Sequence, residues 1–407
     1  MPIKAAIRWI VCWICLVNLA SAAPVTLGVD VLLEAESPYL ALLAGKRVGL
    51  ITNPSGVDGR LVPTVDRLAT DPRVRLTRLY APEHGIRGDV HAGDLVGDDT
   101  DRITGLPVTS LYGKHRQPTA DVLADVDILL LDLQDVGSRT YTYISTMGEV
   151  LRACAAHHKP LVILDRPNPL GGQPIEGPVM HAEWYNFIGW GPIPLSHGMT
   201  MGELARYFRR ELSIDCELHV VPMRGWTRDM VWADTGLAWT ITSPHIPHPL
   251  QAHLYVTTGM LAASFPKLSD GVGSTMPFEL LAADFIDGAQ LARELNGLRL
   301  PGVAFQPVAV RPFYGKFANQ SLSGVRLRLT DARRYRPLHT GLKILDVLHQ
   351  LYPTRLKIGE QAYVARHWGT MAVVEQLRAA ATTEELESSW RTELEAFSQR
   401  RDESLLY

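Results

Sequence analysis

The chain has 407 residues, of which 46% are hydrophobic and 20% are charged, and its formal net charge at pH 7 is −3. This composition is that of an ordinary globular protein, and the length suits two domains or one large domain. No basic excess indicates nucleic-acid binding and no polybasic run indicates binding to a membrane surface, so we predict neither as a partner.

Residues 1–22 predict a secretory signal peptide. Lys4 and Arg8 form a positive start, residues 9–19 form an apolar stretch too short to span a bilayer comfortably, and Ala20-Ser21-Ala22 is a small-residue cleavage site. We therefore expect a periplasmic or secreted protein, cleaved near Ala22 and without stable membrane insertion.

Two cysteines, Cys154 and Cys216, remain after that cleavage. Each lies in an apolar part of the sequence, which favours two buried free thiols over a disulfide.

Five segments predict the strands of a parallel sheet: residues 46–53, 74–79, 126–133, 160–165 and 217–222. Residues 126–133 are nearly all apolar, as in a central strand covered on both faces, whereas residues 74–79 alternate. Capping boxes at residues 146–149 and 200–203 predict two helix starts between strands. The alternation of strand and helix predicts a Rossmann-like α/β domain over residues 23–275.

The pattern changes after residue 275. Residues 303–310 and 324–329 resemble strands of a smaller sheet, and leucines between 338 and 348 form a helical stripe. A capping box at residues 382–385 predicts a last helix. We predict a smaller α+β domain over residues 276–407.

Polar side chains follow the predicted strands, and the carboxyl ends of parallel strands share one edge of a sheet, so these side chains should converge. They are Asn53 after the first strand, Glu83, His84, Arg87 and Asp89 after the second, Asp135, Arg139 and Tyr143 after the third, and Arg166 and Asn168 after the fourth. No dinucleotide glycine loop, serine elbow or zinc-protease motif accompanies them, and we predict no cofactor.

This mixture of carboxylates, amides, arginines and aromatics suits a sugar, since amides and carboxylates bind hydroxyls and tyrosine stacks on a ring face. Cleavage of a glycosidic bond needs a protonated carboxylic acid near the leaving oxygen. Glu83, which follows Pro82 at a partly apolar strand end, is the best candidate for this acid. Asp135 and Asp89 are alternative second carboxylates.

Each candidate also has a structural interpretation. Glu83 can cap a loop, His84 is more often an orienting residue than a catalyst, and Asp135 can form a turn before Gly137. Arg139 and Arg166 can pair with structural carboxylates, and His197 can simply precede a helix.

A metal site is a further alternative, because four potential ligands lie close together in the sequence. They are His84, Asp89, His91 and Asp94. Their spacing matches no standard metal motif, and we predict no metal.

The chain resembles the exo-acting β-N-acetylmuramidases, a family long described as a domain of unknown function. The matching segments are Ala-Pro-Glu-His-Gly-Ile-Arg-Gly-Asp at 81–89 with 92–93, and residues 49–58, 104–108, 110–113, 132–139, 164–169, 176–178, 197–200 and 202–204. The match covers nearly the whole chain after the predicted signal peptide.

The resemblance implies a Rossmann-like domain, a smaller second domain that closes a cleft, and removal of N-acetylmuramic acid from the non-reducing end of peptidoglycan fragments, as in cell-wall recycling. It implies that Glu83 is the catalytic acid. It also implies that Arg139 or Arg166 binds the lactate carboxylate of the sugar. His197 lies in a matching segment.

The chain departs from the family pattern after residue 242. His245 stands where family members often have asparagine, and residues 263–273 lack the usual Glu-Gly-Thr-Asn and Gly-Arg-Gly segments. We expect His245 to contact substrate. Two alternatives stay open: a non-catalytic periplasmic protein that binds cell-wall sugars, and a metal-dependent hydrolase.

Overall fold

The computed structural model describes residues 24–88, 99–113 and 116–407. In these residues a seven-stranded sheet occupies the first part of the chain, and a three-stranded antiparallel sheet with helices occupies the second. This confirms the predicted α/β class with a smaller second unit.

The larger sheet has the strand order β3-β4-β2-β1-β5-β6-β7, and all neighbours are parallel except the β3–β4 pair. Its strands are β1 (Arg47–Thr52), β2 (Arg75–Ala81), β3 (Asp99–Thr100), β4 (Pro107–Ser110), β5 (Ile128–Asp132), β6 (Leu161–Leu164) and β7 (Leu218–Val221). The five predicted strands are therefore present, shortened or shifted by one or two residues at their ends.

Helices cover both faces of this sheet. The helices of this part are α1 (Gly28–Leu32), α2 (Thr64–Thr70), α3 (Thr142–Ala156) and α4 (Met201–Glu211). Alternate residues of β5 point to opposite faces of the sheet. Ile128 and Leu130 pack in the core that contains α1 and α2. Leu129 and Leu131 pack in the core that contains α3 and α4. This two-sided burial explains why β5 is apolar throughout.

One predicted helix start is confirmed and another is wrong. The Thr200 hydroxyl and the Glu203 carboxylate form a reciprocal capping box at the start of α4. The similar pattern at Thr146 lies inside α3, which already begins at Thr142. Residues 142–145 contain no helix breaker, and Tyr143 and Ile144 are buried. Packing of these side chains therefore starts the helix four residues before the Thr146 capping pattern.

The second part contains the sheet β8-β10-β9, formed by β8 (Leu280–Ala283), β9 (Val303–Val310) and β10 (Leu322–Leu329). Its helices are α5 (Pro249–Leu254), α6 (Met260–Ser264), α7 (Gly288–Gly297), α8 (Pro337–Leu351), α9 (Gln361–Trp368), α10 (Met371–Arg378), α11 (Thr383–Ser389) and α12 (Arg391–Asp402). A π-helical turn, Tyr255–Gly259, joins α5 to α6 and packs on α8. The Thr382 capping box is confirmed at the start of α11.

Cys154 and Cys216 are both buried and free. No helix in the described ranges combines the length and the apolar composition needed to cross a bilayer.

Candidate functional site

A pocket of about 210 Å³ lies at the carboxyl edge of the larger sheet. It is lined by Glu83, His84, Tyr112, Thr140, Tyr141, Thr142, Ile188, Ser243, His245, Ile246, Tyr255 and Phe278. The loops after β2 and β4, the start of α3 and residues from the second part of the chain meet here. We call this cavity the Glu83 pocket.

Glu83 and His84 reach this pocket because β2 ends in a tight turn. The Gly85 N–H donates to the Pro82 carbonyl at 3.1 Å, and His84 has a left-handed backbone with φ of 76°. Non-glycine residues seldom adopt this conformation, and such strain concentrates at functional sites. The Thr142 hydroxyl, at the first residue of α3, donates to Glu83 Oε2 at 2.6 Å. A helix start therefore holds the carboxylate in one orientation.

Tyr112 and Tyr255 line the pocket together with Glu83. Burial, with a further contribution from the Glu83 charge, raises the pKa of Tyr112 to about 12. Burial likewise raises the pKa of Tyr255 to about 12, with smaller contributions from Glu83, Asp270 and Asp135. These hydroxyls stay protonated at neutral pH, so they can donate hydrogen bonds to a carboxylate or to a sugar oxygen.

Asn53 and Tyr143 form a layer behind the pocket. Asn53 Nδ2 donates to the Tyr143 hydroxyl at 2.5 Å, and that hydroxyl donates to the Thr242 carbonyl. Both side chains are buried, and neither lines the pocket. This layer therefore links the sheet edge to the segment that carries Ser243.

His245 reaches the pocket from the segment between β7 and α5. Its Nε2 lies 2.8 Å from the Tyr314 hydroxyl, and the two rings are stacked at 6.2 Å between centroids. Burial lowers the pKa of His245, and the proximity of His84 lowers it further. A neutral imidazole at this position can exchange hydrogen bonds with a polar ligand.

Asp135 and His197 are buried, and neither lines the Glu83 pocket. Asp135 Oδ2 accepts from the Gly137 N–H at 2.7 Å and lies 3.6 Å from His197 Nε2. In the described part of the chain, Oδ1 of Asp135 is buried and has no hydrogen-bond partner. Gly137 has φ of 82°, and a Cβ there would lie 2.4 Å from Asn168 Oδ1, so this turn requires glycine. Asn168 itself donates to the Met199 carbonyl at 3.0 Å.

The arginines predicted to bind substrate are occupied by protein partners. Arg139 is fully buried and donates to the carbonyls of Pro178, Ile193 and His367 at 2.8 Å each. Burial lowers its pKa to about 9, which leaves it charged at neutral pH.

Arg166 Nε donates to Asp132 Oδ1 at 2.5 Å, and Arg87 pairs with Asp66 and Asp101 at 2.9 and 2.8 Å. None of the three predicted arginines lines the Glu83 pocket.

Asp89, His91 and Asp94 lie outside the described residues. The structure therefore does not test Asp89 as a second carboxylate or the metal site proposed for these residues. Within the described ranges, no group of three or more His, Cys, Asp or Glu side chains is arranged to hold a metal ion.

Sequence reasoning missed Tyr112, Thr142 and Tyr255. Tyr112 follows β4, so the rule about carboxyl ends would have found it had this short strand been recognised. Tyr255 lies in a helix distant in sequence, and no local pattern signals it.

Two models of one protein family match the two halves of the chain. The model described as "Exo-beta-N-acetylmuramidase NamZ, N-terminal" matches residues 48–250, and its C-terminal counterpart matches residues 253–407. A curated relative, the peptidoglycan beta-N-acetylmuramidase NamZ of Bacillus subtilis (strain 168), is 42% identical over 388 residues, covering 95% of this chain and 92% of that protein.

Two crystal structures of DUF1343 family proteins from Bacteroides fragilis share the fold. One has a TM-score of 0.87 at 39% identity, and the other has 0.75 at 26% identity; each comparison covers 94% of this chain and 99% of the other. Since family models match both halves and a curated relative is similar over nearly the whole length, the chain belongs to the NamZ family of exo-β-N-acetylmuramidases.

Proposed function

We propose that this chain is an exported glycoside hydrolase that releases N-acetylmuramic acid from the non-reducing end of peptidoglycan fragments. Its family is one of glycosidases, and the Bacillus subtilis relative is named for peptidoglycan. The observation that carries the proposal is Glu83, which is held by Thr142 in a pocket rimmed by tyrosines.

In this mechanism Glu83 gives its proton to the glycosidic oxygen as the bond breaks. The Thr142 hydroxyl fixes the orientation of the carboxyl group, which is the positioning that proton transfer requires. Asp135 is the carboxylate proposed to assist water or to orient the acetamido group, with Asp89 as the alternative second carboxylate.

The remaining pocket wall suits an N-acetylated sugar. Tyr112 and Tyr255 supply hydroxyl groups, and His245 offers a polar group from the segment before α5. Ile188 and Phe278 provide apolar surface for a sugar face and an acetyl methyl group.

Export rests on residues 1–22, whose positive start, apolar stretch and small-residue site match a signal peptide. Expression of the full chain in a Gram-negative host, fractionation and N-terminal sequencing test this. Mature protein starting near Ala23 in the periplasm supports export, and an intact amino terminus in the cytoplasm contradicts it.

Glu83→Gln tests the proton donor with two substrates that differ in leaving group. For a muramic acid–N-acetylglucosamine disaccharide, whose sugar leaving group needs protonation, we expect kcat to fall by about 10²–10⁴-fold. For a 4-nitrophenyl N-acetylmuraminide the loss should be smaller, because nitrophenolate leaves without a proton.

The matched control is Glu36→Gln, the same chemical change at an exposed residue, which should leave both rates unchanged. Equal losses on both substrates would argue against proton donation by Glu83. If the unaltered protein hydrolyses neither compound, the proposed function is wrong.

A further inference from the structure

A second cavity, of about 390 Å³, adjoins the Glu83 pocket. The two cavities share Thr140, Tyr255 and Phe278 in their walls. We call this larger cavity the outer chamber. Its other walls come from α6, the loop after α6, the segment between β9 and β10, and α9. A ligand in the Glu83 pocket can therefore continue into the outer chamber past Tyr255.

Asp270 is the unusual residue of the outer chamber. Its Oδ1 accepts from the Val272 N–H at 3.1 Å, and no basic side chain in the described ranges lies within ion-pair distance of its carboxylate. Burial raises its pKa to about 6, opposed by hydrogen bonds from the backbone N–H groups of Val272 and Asp270 and by the charge of Lys316. A desolvated carboxylate without a side-chain partner is costly, and ligand donors would offset that cost.

Lys316 faces the same chamber. Its ammonium group donates to the Pro266 carbonyl at 2.5 Å, which leaves further N–H donors for a ligand. Tyr314, two residues earlier, bonds His245 of the Glu83 pocket. The segment between β9 and β10 therefore lines the outer chamber and bonds a wall residue of the Glu83 pocket.

The chamber walls combine these charged groups with aromatic and aliphatic surface. Phe317 and Tyr363 contribute rings, and Met260 and Leu268 contribute apolar surface. Hydroxyl-binding groups beside apolar faces suit a pyranose that carries an N-acetyl group, because the ring presents hydroxyls at its edge and C–H groups on its faces.

We infer that the outer chamber binds the N-acetylated sugar on the leaving-group side of the cleaved bond, and that Asp270 and Lys316 hydrogen-bond to it. This inference rests on the proposed function, since it assumes that Glu83 acts between the two sugars. The outer chamber then favours muramic acid that is still linked to the next sugar of a glycan over a muramic acid derivative that lacks this sugar.

Asp270→Asn and Lys316→Met test this with the full chain. The asparagine keeps an Oδ1 acceptor for the Val272 N–H but loses the charge, and Lys316 is exposed, so its loss leaves the core intact. For the muramic acid–N-acetylglucosamine disaccharide, we expect each variant to raise KM roughly tenfold, the usual effect of losing one charged hydrogen bond.

The 4-nitrophenyl glycoside is the comparison substrate, because its leaving group has no hydroxyls for Asp270 to bind. The loss in kcat/KM should be about tenfold larger for the disaccharide than for this aryl glycoside. Lys357→Met, the same change at an exposed lysine outside the chamber, should alter neither rate.

Losses of equal size on both substrates would show that the chamber holds the muramic acid itself, and unchanged kinetics on both would show that it holds neither sugar. Either result overturns the inference while the proposed function stands. Failure of the unaltered protein on both substrates overturns the function, and the inference with it.

Discussion

The loops after β2 and β6 lie at the same edge of one sheet and carry similar residue types, yet their side chains have opposite surroundings. After β6, Asp165 accepts from the Thr200 hydroxyl, the Gly202 N–H and the Tyr407 hydroxyl, each at 2.8 Å, and nearby Arg166 pairs with Asp132. After β2, Glu83 faces a cavity.

Polar residues at one sheet edge therefore separate into two kinds. Those after β6 are buried and have their hydrogen bonds made within the protein, so their loss should cost stability. Glu83 retains access to a cavity, so changes around it should cost turnover. Substitutions in each loop therefore test whether its residues contribute to stability or to turnover.

The largest effect is expected for Arg166→Met. This change leaves the buried carboxylate of Asp132 without its cation, which typically costs about 3–5 kcal/mol of the free energy of unfolding. Denaturant unfolding measures the loss. Arg47→Met removes a half-exposed ion pair with Asp127 on the same sheet and should cost much less. A stable Arg166→Met protein with a raised KM would instead make Arg166 a substrate-binding residue.

The next effect concerns pH and Asp165. Burial raises its pKa from 3.8 to about 6, so between about pH 4 and pH 6 the folded state binds more protons than the unfolded state. The free energy of unfolding should then fall as pH rises through this window, by about 3 kcal/mol in total. Asp165→Asn should remove this part of the pH dependence in denaturant unfolding. An identical slope in both proteins would show that Asp165 is already ionised when folded at pH 4.

The smallest effect is expected for Thr142→Val, which removes the hydrogen bond to Glu83 with little change of shape. We expect kcat on the disaccharide to fall about tenfold, with unfolding unchanged, because one positioning contact is lost. Thr146→Val is the matched control, since its buried hydroxyl in the same helix has no hydrogen-bond partner in the described ranges. If both variants lose activity equally, the cause is helix α3 rather than the Glu83 contact.

The central strands could be predicted from sequence because two-sided burial makes them continuously apolar. The short strands β3 and β4 could not, since they hold few residues and β4 begins with Pro107. The false helix start at Thr146 shows that tertiary packing overrides a local capping pattern.

For the site, the sequence placed Glu83 and His84 in one loop, and the structure places both at one pocket with His245. Their roles stay predictions. The partners of Arg139, Arg166 and Arg87 could not be predicted, because carbonyls and carboxylates distant in sequence satisfy them.

The hydrogen bond between Tyr407 and Asp165 joins residues 242 positions apart. Forming such a contact requires closure of a long loop, which costs chain entropy. The bond connects Tyr407, beyond the last helix of the second part, to the loop after β6 of the larger sheet. A fragment ending near residue 275 would leave Asp165 without that partner, so the two halves should fold and unfold as one cooperative unit.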